Sequence, residues 1–98
     1  MNIKFLNEYK NEDIVANFAD KYNVTNSEAE IFFDDMKALL YLTQRISEIR
    51  SDNPDNSLSN FELDTDIYII DEMWHTFILF TKDYEEFCQK AFGKFIHH

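Results

Sequence analysis

The sequence predicts an all-α fold, one small domain over residues 1–98 built from four to five helices. Three observations lead there. The chain contains one Gly and one Pro, so the residues that interrupt helices and build tight turns are almost missing. Its apolar residues recur at helical spacing in successive stretches. At 98 residues, 45% hydrophobic and 16% aromatic, it has material for one core, too much to stay disordered and too little chain for a barrel or a doubly wound sheet.

The elements follow in order. Residues 1–9 suit either a short helical turn or an extended arm. Asn11, followed by Glu12 and Asp13, reads as a helix start, and Ile14, Val15, Phe18 and Tyr22 continue it on one face. Thr25 with Glu28 fits a capping box, and Ser27 with Glu30 fits it equally well. Beyond it Phe32, Met36, Leu39, Leu40 and Ile46 form an apolar stripe, with Glu30, Asp34, Lys37, Gln44 and Glu48 off it. This helix should reach about Arg50, where basic residues suit the negative end of the dipole.

Residues 51–60 read as the connector. Their alternating acids and amides imitate a calcium loop, but no register supplies both the Gly and the bidentate Glu that an EF-hand needs. The next helix should begin near Thr65 or Asp66 and run to Phe80, with Ile67, Ile70, Trp74, Phe77 and Ile78 inward and Trp74 central. Asp71 and His75 are i, i+4 neighbours on the edge of that arc. Thr81 reads as the cap of a last helix, in which Tyr84, Phe87, Cys88, Ala91 and Phe92 share a face. Gly93 should end it. The last two helices, joined by almost nothing, must form an antiparallel or crossed pair.

Charge narrows the function classes. Nine Lys/Arg against nineteen Asp/Glu give a net charge of −10, which repels nucleic-acid phosphates and anionic lipid, so direct nucleic-acid and membrane binding are not expected. Residues 51–72 hold seven acids and no base. That run is a solvated face, or an acidic surface for a basic partner. One cysteine, Cys88, cannot make an intrachain disulfide. With no signal-peptide pattern at the N-terminus, the expected location is the cytoplasm.

The chemistry-bearing residues gather in the last third. Folding the final helices back on each other brings His75 towards Cys88, while the tail after Gly93 returns with His97 and His98. Asp71 stands behind His75. A thiolate, imidazoles and a carboxylate are ligands that zinc accepts. The same side chains also suit a buried hydrogen-bonded group. A Cys–His–Asp nucleophile would need an exposed thiol of lowered pKa, and a cysteine on an apolar face of an acidic chain offers neither.

Trp74, His75, Tyr84, Cys88, Gly93 and His98 also resemble the pattern of the glycine-rich-domain-containing proteins of plants and their short bacterial relatives. The resemblance covers about the last third of the chain, including the apolar lead-in from Asp66 to Trp74. It implies a helical domain built around these side chains, and it implies no settled catalytic activity. Two features depart from it. Phe77 stands where many members have a second histidine, leaving Asp71 or His97 to complete any four-ligand site, and the glycine-rich region is missing.

Together these readings lead to an expected function: a small cytoplasmic protein-binding or adaptor domain. Its Trp74/His75/Tyr84/Cys88/Gly93/His98 cluster is structural, and His75, Cys88, His98 and Asp71 are the candidate zinc ligands. One alternative is an acidic inhibitor, a nucleic-acid mimic that occupies a basic site on a nucleic-acid enzyme. A second is a thiol-dependent enzyme.

Overall fold

Backbone capping sets where the helices begin and end in the computed structural model, which describes residues 1–52 and 67–98. Helix α1 spans Ile3–Glu8, α2 Glu12–Tyr22, α3 Asn26–Asp52, α4 Ile67–Leu79 and α5 Thr81–Phe92, with no strand among the described residues. Most of the expected connector and acidic run (residues 53–66) and the helix start at Thr65 or Asp66 lie outside the described residues. No described helix is long and apolar enough to cross a membrane.

The starts of α1, α2 and α3 have local causes. Ile3–Glu8 is helical because Asn2 accepts the free N–H of Phe5, while its own N–H donates to the carbonyl of Ala91 on α5. Asn11 accepts from Ile14 N–H, as the sequence implied. Of the two candidate caps the one at Thr25 is used: its hydroxyl oxygen accepts from Glu28 N–H, and the hydroxyl donates to the Glu28 carboxylate. Thr81, by contrast, does not cap α5. The cap residue is Phe80, with no side-chain hydrogen bond, because α4 and α5 are so tightly joined that Thr81 is already helical. Two left-handed residues close helices, Asn23 after α2 and Gly93 after α5, where φ is 73°. A Cβ at Gly93 would meet nothing within 4 Å, so its backbone conformation alone calls for glycine.

The 27-residue α3 is the spine. Helices α2 and α4 pack along it, and α5 packs on α4 and α1. Where they meet, Ile14, Phe18, Met36, Leu40, Met73, Phe77, Tyr84, Phe87 and Cys88 are fully buried. Aromatic rings dominate the seam. Phe77 lies 5.1 Å from Phe87 and 5.5 Å from Phe33 between ring centroids, with Tyr9 4.8 Å from Phe87. Each such ring removed from water contributes about 1.5–3 kcal/mol.

In the packing, two further residues depart from the sequence reading. The centre of α4's inner face is Met73 and Phe77, and Trp74 is half-buried beside them. Lys37, expected off the apolar stripe, is buried instead. Its ammonium donates to the carbonyls of Asn7 and Tyr9 at 3.3 and 2.9 Å and pairs with Asp34 at 3.4 Å, which closes the end of α1 against α3. A buried ammonium is tolerable when its donors are engaged in this way.

Candidate functional site

The site is built by the α4–α5 pair and the tail that follows it. Gly93 turns the chain back over α4, and a hydrogen-bond relay fixes the returning segment. The Trp74 indole N–H donates to the Tyr84 hydroxyl at 2.9 Å, and that hydroxyl donates to the Ile96 carbonyl at 2.5 Å. Ile96 is buried beneath this clamp. Two residues later the His98 ring rests on Trp74, 4.4 Å between centroids, and 4.3 Å from the ring of His75.

Here three ligating side chains converge. His98 Nε2 and Asp71 Oδ1 are 2.5 Å apart, and His75 Nε2 is 3.6 Å from Asp71 Oδ2. Ligand atoms of Asp71, His75 and His98 all lie within 4.8 Å of one another. Helical spacing explains the first two, since i and i+4 side chains stand over each other. The clamp at Tyr84 brings the third. The site is open to solvent, with side-chain exposures of 46% for His75, 39% for His98 and 33% for Asp71.

Cys88 is seated differently from the other candidate ligands. It is fully buried in the core on α5, and the convergent group of Asp71, His75 and His98 does not include it. Burial pushes its thiol up in pKa, an effect only partly offset by hydrogen bonding to the Ile96 backbone and the Tyr84 hydroxyl. Burial likewise raises the Tyr84 phenol. A protonated, enclosed thiol offers a substrate neither access nor a nucleophile. His97 points its ring at Phe95, 4.8 Å away, rather than at the cluster.

Sequence reasoning missed two residues at the rim. Glu72 Oε1 faces His75 Nδ1 at 3.7 Å, and Glu72 Oε2 accepts from the Tyr22 hydroxyl of α2. That hydrogen bond pushes the Tyr22 phenol up to about 12. The i, i+3 spacing of Glu72 and His75 was a usable signal for the first; Tyr22 lies fifty positions from Glu72 and gave none.

A family model described as UCP032817-like matches residues 4–98 of the chain. No curated protein and no solved structure matches it.

Proposed function

The chain belongs to the UCP032817-like family, and we propose that it is a small adaptor-type binding module whose Asp71, His75 and His98 hold a zinc ion. One observation carries the reading: two imidazoles and a carboxylate, delivered by α4 and the chain's last residue, gather their ligand atoms within 4.8 Å. Tetrahedral zinc holds such atoms about 3.3–3.5 Å apart, given bond lengths near 2.0–2.1 Å, so small side-chain rotations suffice. The His98–Asp71 hydrogen bond opens as the ion enters.

Three protein ligands leave the fourth position to water or to a partner's donor. The ion ties the tail to α4, so it stabilises the folded chain in proportion to its binding. The surroundings fit a binding surface. Tyr68 and Leu79, 70% and 73% exposed, share the face of α4 that carries His75, and a net charge of −10 favours a basic partner. The likeness of Trp74, His75, Tyr84, Cys88, Gly93 and His98 to the glycine-rich-domain-containing proteins supports treating clamp and cluster as one unit.

The test is metal analysis of untagged protein, paired with thermal melting before and after chelation. The expected result is one zinc per chain and a lower melting temperature after chelation. Metal-free protein that takes up no added zinc, with melting indifferent to chelator, overturns the reading.

A further inference from the structure

We propose that Glu72 is the positioning residue of this metal centre: anchored by Tyr22, its carboxylate turns the His75 ring so that Nε2 rather than Nδ1 meets the ion. The inference rests on the zinc reading above and assigns the orientation of one ligand together with the helix that sets it.

The two nitrogens of His75 face two different carboxylates. Nε2 lies 3.6 Å from Asp71, on the side shared with His98, and Nδ1 lies 3.7 Å from Glu72. Glu72 is not a member of the convergent group. It therefore stands behind the ring, where a metal-bound histidine ordinarily donates its remaining N–H to a carboxylate. A slight ring rotation turns the 3.7 Å approach into that hydrogen bond.

Glu72 is itself held. Its other oxygen accepts from the Tyr22 hydroxyl at 2.5 Å. The Tyr22 ring lies 4.5 Å from Phe18, which is fully buried between the helices. One carboxylate oxygen is thus fixed to α2, and the other is presented to His75. Adjacent acids on α4 take different parts: Asp71 as ligand, Glu72 as the group that aims a ligand.

The experiment titrates zinc sulfate into metal-free protein against a competing chromophoric chelator. The variants are Tyr22→Phe, which keeps the ring and frees Glu72, and Glu72→Gln, which offers His75 a neutral amide oxygen in place of the charged carboxylate. Losing such an outer partner typically weakens metal affinity about 10–100-fold. We expect that loss in both variants, with the metal-free proteins still folded and melting only modestly lower through the weakened link between α2 and α4. The double variant should bind no more weakly than Glu72→Gln alone, because the pair acts as a unit. A long-range ¹H–¹⁵N spectrum of zinc-loaded wild type gives an independent readout and should show the proton of His75 on Nδ1. Wild type that binds zinc while both variants bind within twofold of it overturns the inference, as does a metal-bound Nδ1. Wild type that binds no zinc overturns this inference and the proposed function together.

Discussion

The Tyr84 hydroxyl accepts from the indole of Trp74 and donates to the carbonyl of Ile96, so one oxygen joins α4, α5 and the C-terminal tail. Removing it leaves two polar groups without their partner. Tyr84→Phe should cost about 1–3 kcal/mol, the usual penalty for stranding a buried donor or acceptor. In a domain of this size each kcal/mol lowers the melting temperature by about 4–8 °C. Hydrogen exchange should quicken in the tail before it does in α3. Wild-type melting and wild-type exchange in this variant would mean that the clamp contributes nothing.

The core is centred on Phe77, three positions along α4 from Trp74, the residue that the apolar arc makes central. Phe77 is fully buried among Tyr9, Phe33, Tyr84 and Phe87, whereas Trp74 is half-buried. Phe77→Ala should therefore destabilise by about 3–5 kcal/mol through lost burial and the cavity left behind. Trp74→Ala should cost less. Chemical denaturation of the two variants side by side measures this, and the reverse order would contradict the packing described.

Much of this was legible in the sequence, and the exceptions have physical causes. The start at Asn11 and the start at Thr25, one of two candidates, are decided by side chains within three residues of the backbone they satisfy, and the stop at Gly93 by its left-handed backbone. The inner face of α5 followed from the period alone. Lys37 was misplaced because its acceptors, the carbonyls of Asn7 and Tyr9, come from another helix. Phe33, in contrast, is legible from the period: it stands at i, i+3 and i+7 with Met36 and Leu40, on their stripe, and it packs on the rings of Tyr9 and Phe77. In the site, Asp71 and His75 were legible as helical neighbours. The choice of His98 over His97 depended on how the tail turns after Gly93, which no periodicity encodes.

Gly93 should not tolerate a side chain, although there is room for one. Its φ of 73° is left-handed, a conformation that costs an ordinary residue about 1–2 kcal/mol. Gly93→Ala should lower stability by roughly that amount, and Gly93→Asn by less, since Asn adopts this region more readily, as Asn23 already does. Melting curves for the pair decide it. Equal stability of wild type and Gly93→Ala would contradict the left-handed turn.

The buried thiol and phenol make stability sensitive to alkali. Burial raises Cys88 above its ordinary value of 9.0 and Tyr84 above 10.0. Above about pH 9 the unfolded chain therefore releases protons that the folded chain retains, which favours unfolding. Below that pH both forms hold them, and these two groups add no pH dependence. Denaturation midpoints should be flat in this respect up to pH 9 and fall beyond it, with Cys88→Ala falling less steeply. At neutral pH Cys88 should react with alkylating reagents only as fast as the domain opens, whether or not chelator is present. Rapid alkylation of folded protein would show an accessible thiolate.

The two terminal histidines should separate cleanly. His98 lies against Asp71 and His75, while His97 lies against Phe95. His97→Ala should leave zinc affinity unchanged. His98→Ala removes one of three protein ligands and should weaken binding by at least tenfold, without unfolding the domain, because Ile96 and its clamp remain. Binding should also weaken on acidification, since a proton and the metal compete for the same imidazole nitrogen. Deleting Ile96 to His98 should differ in kind: it takes away the acceptor of the Tyr84 hydroxyl as well as the ligand, so stability of the metal-free protein falls too. Zinc titration and melting of the metal-free proteins, run on all three variants, distinguish ligation from packing. Loss of zinc affinity in His97→Ala with retention in His98→Ala would reassign the site.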